Sequence, residues 1–302
     1  MATFAAKMEK SIRYVATIGF FDGVHQGHKC LIRQVRAEAE QRGMKSLVVT
    51  FPKHPRQVLA TDYQPRLLTT CEEKLRLLRA TGVDEIALMP FTRELSMLTA
   101  EEFMRTLHVE YGVDVLVIGY DHRFGHNRSE GFDDYVEYGK RMGLDVVLAD
   151  EYDDGGLHCS STEVRNALGR GDVDVANDIL GYRYFVAGEV VNGFHVGTKI
   201  GYPTANLRVA DEKLVPRNGV YVVKVGDHVG MLNIGCRPTL DNGSNVSIEV
   251  HIIDYDSNLY GSVLTLEFVK YIREERRFDS VDDLKRQLAQ DESTARGFVG
   301  LL

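Results

Sequence analysis

Hydrophobic periodicity changes character once along this chain, and that change limits the folds open to it. In the first half, short β-branched runs alternate with segments of helical spacing: Arg13–Gly19, Ser46–Phe51, Glu85–Met89, Val113–Ile118 and Leu144–Leu148 predict strands, with helices near Gly27–Arg42, Glu72–Arg79, Ala100–His108 and Asp133–Met142 between them. Strands separated by helices predict right-handed βαβ units around a parallel sheet covered on both faces. Helical spacing continues through Thr162–Leu168 and Val173–Leu180, and then the period falls to two. Phe185–Val191, Gly219–Val225, Val229–Ile234, Val246–Ile253 and Val263–Val269 read as strands between Gly, Asn, Asp and Pro turns, ahead of a last helix near Val281–Gln290. This second pattern predicts an antiparallel β-barrel or sandwich closed by a helix. A length of 302 residues suits two such units, and the expected boundary gives domains 1–183 and 184–302.

Charge narrows the partners. Residues 1–183 carry 23 basic and 28 acidic side chains and residues 184–302 carry 13 and 16, so neither half has the basic excess that duplex binding requires. No nucleic acid is expected, and phosphate, if bound, is bound locally. The four cysteines, Cys30, Cys71, Cys159 and Cys236, form no C-x-x-C pair, which fits neither a disulfide framework nor a zinc ribbon. There is no signal-peptide core at Met1–Ser11 and no run of about 18 apolar residues. The expectation is a cytoplasmic protein away from membranes.

In open α/β sheets ligands bind beyond the carboxyl ends of the strands, so the chemistry is sought there. The stretch Gly19-Phe-Phe-Asp-Gly-Val-His-Gln-Gly-His28 follows the first predicted strand. Gly23 and Gly27 let backbone approach a ligand, the helix start offers unpaired N–H donors, and His25 and His28 can address one anion. A glycine-rich turn with exposed histidines fits the same residues. Zinc fits less well, because H-E-x-x-H is absent and Gly27 suits a turn rather than a ligand helix. A second anion site is suggested by Cys159-Ser-Ser-Thr-Glu-Val-Arg165, where Ser160, Ser161 and Thr162 open a helix and Arg165 lies within its first turns.

Together these two motifs resemble the nucleotidyltransferase superfamily, in which H-x-G-H and S-S-T-x-x-R segments embrace the triphosphate of ATP. Between them, Gly119-Tyr-Asp-His-Arg-Phe-Gly-His-Asn-Arg-Ser-Glu-Gly131 is similar to the G-x-D-x-x-F-G-x-x-R-x-G signature of bacterial flavin adenylyltransferases, with Gly131 one position beyond the last glycine of that pattern. The chain thus resembles the bifunctional riboflavin kinase/FAD synthetase family. The resemblance implies a Rossmann-like N-terminal domain that adenylylates FMN and a C-terminal riboflavin kinase barrel, with Mg²⁺ and ATP serving both. It implies flavin contacts from Asp121, Phe124 and Arg128, and ATP contacts from Gly19, Phe20, Gly23 and Gly27. It further implies catalytic roles for His25, His28 and Arg165, with Ser160, Ser161 and Thr162 on the β and γ phosphates.

The second half carries its own constellation. Gly193, Gly197 and Gly201 precede Pro203-Thr-Ala-Asn206, in a segment on which a Walker A loop cannot be laid. A glycine-rich hairpin accounts for the glycines alone, but P-T-A-N is the hallmark of the riboflavin kinase fold. The resemblance implies that Gly197, Lys199, Pro203, Thr204 and Asn206 bind ATP and that Thr204 and Asn206 hold Mg²⁺. A ribityl hydroxyl needs a proton acceptor, and Val246-Ser-Ile-Glu-Val-His251 offers Glu249 as the base. Asn233-Ile-Gly-Cys-Arg-Pro-Thr239, Leu259-Tyr-Gly261, Asp254 and Arg273-Glu-Glu-Arg-Arg-Phe278 extend the likeness. Two positions depart from it. Thr198 stands where bacterial relatives usually have arginine, leaving Lys199 to supply the charge, and Phe51-Pro-Lys-His-Pro55 lacks the usual acidic residue, so Lys53 and His54 receive no role. Two alternatives stay open on the sequence: a protein retaining one of the two activities, and a flavin- or nucleotide-binding regulator.

Overall fold

The structure is a computed structural model that describes residues 12–59, 66–119, 122–126, 129–152, 159–192, 197, 200–236 and 246–300. The chain divides into two compact units, Met1–Ser160 and Ser161–Leu302.

In the first unit, strands β1 (Tyr14–Ile18), β2 (Lys45–Thr50), β3 (Glu85–Leu88), β4 (Val113–Ile118) and β5 (Asp145–Leu148) form one parallel sheet in the order β3-β2-β1-β4-β5. Helices α1 (Gln26–Arg42), α2 (Pro55–Leu59), α3 (Cys71–Arg79), α4 (Arg93–Ser96), α5 (Ala100–Tyr111) and α6 (Phe132–Met142) lie between the strands. All five residues of β1 are buried, as expected of a central strand covered on both faces. One layer packs Ala16, Leu116 and Ile118 against Phe103, Met104 and Leu107 of α5, and the opposite layer packs Val15, Val115 and Val117 against Val35 and Ala39 of α1. The chain reverses its direction of travel across the sheet between β1 and β4. Such a switch point opens a crevice at the carboxyl edge, where the segments after β1, β2 and β4 emerge.

In the second unit, α7 (Ser161–Arg170) and α8 (Val173–Leu180) precede β6 (Phe185–Val191), β7 (Ala205–Val209), β8 (Gly219–Val225), β9 (His228–Cys236), β10 (Val246–Ile252) and β11 (Val263–Arg273), and α9 (Val281–Arg296) ends the fold. The six strands close into an antiparallel barrel in the order β10-β7-β6-β11-β8-β9. Strand β7 was not among the expected strands. It begins immediately after Pro203-Thr204 and starts Ala-Asn, so its five residues lack the β-branched alternation that marks its neighbours.

The two compact units meet at Ser160/Ser161, upstream of the boundary expected at Arg183/Tyr184. Helices α7 and α8 pack on each other, and α8 packs on β11. Asn177 of α8 is the clip: its Nδ2 donates to the Phe268 carbonyl at 3.0 Å and its Oδ1 accepts from the Tyr184 N–H at 2.7 Å. Arg217 N–H adds a bond to the Leu168 carbonyl at 3.0 Å. Asn177→Ala leaves both backbone groups without this partner, and should therefore cost the unit 161–302 about 1–3 kcal/mol. Urea denaturation followed by circular dichroism should show an earlier transition for that unit and an unchanged one for residues 1–160.

Candidate active sites

The first site is built on the turn between β1 and α1. Phe21 and Val24 hold φ values of 56° and 40°, a region that side-chain-bearing residues avoid, and Gly23 between them holds 79°. Such backbone persists where its surroundings over-determine it. Here the surroundings are Asp22, only 4% exposed. Its carboxylate accepts from the N–H of Leu68 at 3.0 Å, from the N–H of Thr69 at 3.0 Å and from the Thr69 hydroxyl at 3.2 Å. The Thr69 Oγ1 accepts in turn from the Gly23 N–H at 3.1 Å. The segment before α3 thereby grips the turn.

The turn delivers His25 to the N-cap of α1. Its side chain makes no capping bond, and no acidic residue occupies the first helical turn, so the helix offers unneutralised N–H donors to an anion. The imidazoles of His25 and His28 stack with centroids 3.6 Å apart and planes 23° apart. The Nδ1 atoms of both are buried with no hydrogen-bond partner among the described residues. Burial, helped by Lys29, lowers His25 to about 4. Burial also takes His28 well below the usual histidine range, with His25, His122 and Lys74 adding to the effect. The pair is therefore neutral at pH 7. A Cβ on Gly27 would stand 3.3 Å from the His25 ring and 3.4 Å from the Cys159 carbonyl, so Gly27 permits close approach within the protein.

Other expected residues fall as follows. Gly19 continues from β1 through its N–H bond to the Val49 carbonyl at 3.1 Å, and the Phe20 ring meets His54 edge-on at 4.6 Å. Phe124 is a core residue: it stacks on Tyr135 at 4.2 Å and leans on Phe103 at 5.5 Å. Its ring anchors the loop after β4. Gly125 follows it because a Cβ there would lie 2.7 Å from the Ala100 nitrogen, at a φ of +90°. Asp121, Arg128 and Lys199, like Thr198, lie outside the described residues. Ser160 closes the first compact unit, while Ser161, Thr162 and Arg165 open α7 in the second, with the Arg165 Nη1 donating to the Ser161 carbonyl at 3.1 Å.

The second site lies inside the barrel unit. Glu249 of β10 faces Asn206 of β7 on one side and Asn233 of β9 on the other. Directly opposed residues share a sheet face, so the three form a polar row. This row meets a cavity of about 380 Å³ whose lining includes Glu249, Asn233, Thr204, His251, Val220 and Met231. Asn206 is 5% exposed. Thr204, just before β7, lines the cavity, and its hydroxyl and the Asn206 amide oxygen are donors of the type a hard cation such as Mg²⁺ takes. The Nδ1–H of His251 donates to the Pro203 carbonyl at 2.8 Å and holds this segment from β10. The Tyr202 hydroxyl holds it from α9 by donating to Glu292 at 3.1 Å. Gly197 makes the preceding turn possible, since any Cβ would lie 2.1 Å from the Tyr202 carbonyl.

Comparison with known proteins agrees with this division. A family model described as FAD synthetase matches residues 7–163, and one described as riboflavin kinase matches residues 180–299. The chain is 40% identical over 293 residues to the bifunctional riboflavin kinase/FMN adenylyltransferase of Escherichia coli K12, covering 95% of this chain and 93% of that protein. It belongs to that family. Its relative in Listeria monocytogenes is 35% identical over 96% of this chain and 94% of that protein. A solved structure from Streptococcus pneumoniae, titled a macrolide-efflux protein, superposes with a TM-score of 0.88 at 31% identity and covers 97% of this chain and 96% of that one. Among the described residues, no helix is long and apolar enough to cross a membrane.

Several residues at these family sites were not singled out from the sequence. Asp22 and Thr69 are separated by 47 positions, and no local motif joins them. At the cavity, Asn233 and Arg273, which open two of the family-like segments, are joined by His251 of β10 and by Asp291 of α9, neither of which had been given a role. Arg273 and the 2% exposed Asp291 form a two-pronged ion pair between β11 and α9, with Nε–Oδ1 at 3.0 Å and Nη2–Oδ2 at 2.6 Å. Asp254, read as part of the family pattern, accepts two bonds of 2.8 Å from Arg296, which hold its carboxyl below the usual range.

The buried histidines make the first unit acid-sensitive. His25 is neutral when folded down to about pH 4, whereas in the unfolded chain it protonates near its ordinary value of about 6.5. The unfolded state therefore binds more protons between these values, and stability is lost as pH falls through that window. Urea midpoints for residues 1–160 should decline from about pH 6.5 to about pH 4, and His25→Phe should flatten that decline.

Proposed function

We propose that this chain makes FAD from riboflavin in two ATP-dependent steps, with riboflavin kinase chemistry in the barrel and FMN adenylyltransferase chemistry at the β1–α1 turn. The observation that carries the reading is the match of two consecutive family models, each to a stretch that holds its own phosphate-type site. The same observation argues against a chain that retains one activity. The Asn206–Glu249–Asn233 row at a cavity argues against a regulator that has lost its chemistry.

In the kinase step the terminal ribityl hydroxyl attacks the γ-phosphorus of ATP. An alcohol is a poor nucleophile until its proton has an acceptor, and Glu249 is the carboxylate on the cavity wall that takes it. The new O–P bond forms as the β–γ bridging bond breaks, and ADP leaves. The Thr204 hydroxyl and the Asn206 amide oxygen would hold Mg²⁺, which when bound offsets charge on the phosphate oxygens. The turn at Gly197 and the His251–Pro203 bond fix those donors. The apolar part of the cavity, with Val220 and Met231, suits the flavin ring.

Adenylyl transfer needs no general base, because the FMN phosphate is already largely ionised at neutral pH. An oxygen of that phosphate attacks the α-phosphorus of ATP, the α–β bridging bond breaks, and pyrophosphate leaves. The enzyme's task is to position the reactants and stabilise charge at the α-phosphate. Neutral imidazoles of His25 and His28 supply N–H donors beside the uncapped start of α1, on backbone held before the substrate arrives. Ser160, Ser161, Thr162 and Arg165 are proposed for the β and γ phosphates, and Asp121, Phe124 and Arg128 for the flavin, on the strength of the sequence resemblance. Thiols at Cys30, Cys71 and Cys159 suit the reducing cytoplasm proposed as the place of action.

The experiment is a product analysis. Protein incubated with riboflavin, ATP and Mg²⁺ should yield FMN and then FAD, separable by chromatography. His28→Ala should still form FMN but no FAD. Glu249→Gln should form no FMN from riboflavin, yet should convert supplied FMN to FAD. FAD formation undiminished in the first variant, or FMN formation undiminished in the second, would remove that residue from its role.

A further inference from the structure

Helix α3 carries a charged group that neither reaction step uses. Lys74 is 1% exposed, although burying an ammonium is costly and lysine is almost never fully buried without a partner. Its Nζ donates to the Phe51 carbonyl at 2.7 Å and lies 3.9 Å from the centroid of the Phe20 ring. Phe51 follows β2 and Phe20 follows β1. One side chain thus joins two of the segments that rise from the carboxyl edge of the sheet. Thr50 joins them again, its hydroxyl donating to the Phe20 carbonyl at 3.1 Å. The grip continues along the chain: Leu68 and Thr69, just before α3, hold Asp22, and Lys74 lies one turn inside the helix.

The ionisable groups facing Lys74 are Asp22 from the β1–α1 turn, His28 from α1 and Cys71 from α3 itself; toward β2 its partner is the Phe51 carbonyl. Burial lowers the Lys74 ammonium to about 8, against the opposing pull of Cys71 and Asp22. Its charge in turn disfavours protonation of His28. Packing alone does not call for a cation here, since an apolar side chain of similar length fills such a site at lower desolvation cost.

We propose that Lys74 is a positioning residue for adenylyl transfer, its buried cation tying the segments after β1 and β2 together and so fixing the turn that presents His25 and His28. The proposal rests on the reading that the first unit transfers adenylyl groups to FMN.

The test uses the full chain and measures kcat/KM for FMN in FAD formation from about pH 6 to about pH 9.5, since this parameter reports ionisations of the free enzyme. Wild type, Lys74→Met and Lys74→Arg are compared, with FMN formation from riboflavin as the control in each preparation. Wild-type kcat/KM should fall as pH rises through about 8, where the ammonium loses its proton. Lys74→Met should be about ten- to a hundredfold slower at neutral pH, as expected of a small misplacement of the reacting groups, and should lack that alkaline limb. Lys74→Arg keeps its charge at every assay pH, so it should outperform Lys74→Met and also lack the limb. Kinase rates should match in all three. A wild-type profile flat through about pH 8, or the same limb persisting in Lys74→Arg, overturns the proposal even where Lys74→Met fails to fold. Wild-type protein that makes FMN but no FAD overturns instead the adenylyltransferase reading beneath it.

Discussion

The carboxylate of Asp22, buried in the turn after β1, accepts hydrogen bonds from Leu68 and Thr69 and through Thr69 reaches Gly23. On either side of it, Phe21 and Val24 occupy left-handed backbone, a conformation that costs of order 1–3 kcal/mol per residue. Without that grip, the turn would relax and His25 would no longer stand at the head of α1. The stacked imidazoles, their Nδ1 atoms without partners among the described residues, and the uncapped helix start all follow from where the turn puts them. A site that must stabilise charge without a proton acceptor gains from this arrangement, because preorganised donors need no reorganisation during the reaction.

The barrel solves a different problem by different means. Its nucleophile is an alcohol, so a base is needed next to the phosphate-binding donors. The antiparallel register sets Glu249, the base proposed above, directly across from Asn206. A register slip of one residue would send every one of these side chains to the other face. The register is secured locally by the His251–Pro203 bond and by the Gly197 turn, and α9 is fastened over the barrel by the Arg273–Asp291 ion pair. The two units thus differ in residues because their nucleophiles differ in acidity.

Much of this was legible in the sequence, because periodicity and motifs are local signals. The five parallel strands, the terminal helix and both phosphate-type motifs lie where the pattern puts them. What stayed hidden depends on contacts distant in sequence. Strand β7 lacks β-branched alternation and exists because β6 and β10 pair with it. Helices α7 and α8 look like a continuation of the βαβ pattern, yet the Asn177 clip assigns them to the barrel unit. Phe124, part of the family signature, packs on Tyr135 in the core, a contact no local motif reveals, and Gly125 beside it is required by the Ala100 backbone. Lys74 reads as an ordinary lysine on an amphipathic helix, and only packing shows that it is buried.

One chain thus joins two phosphate chemistries, γ-phosphoryl transfer to an alcohol and adenylyl transfer through the α-phosphorus to a phosphate. Radiolabelled ATP separates them within a single chain. With riboflavin and Mg²⁺ present, label in the γ-phosphate should appear in FMN and persist in FAD. Label in the α-phosphate should appear in FAD and never in FMN. Label from the α-position in FMN, or FAD that acquires no γ-label when riboflavin is the only flavin supplied, would contradict the account.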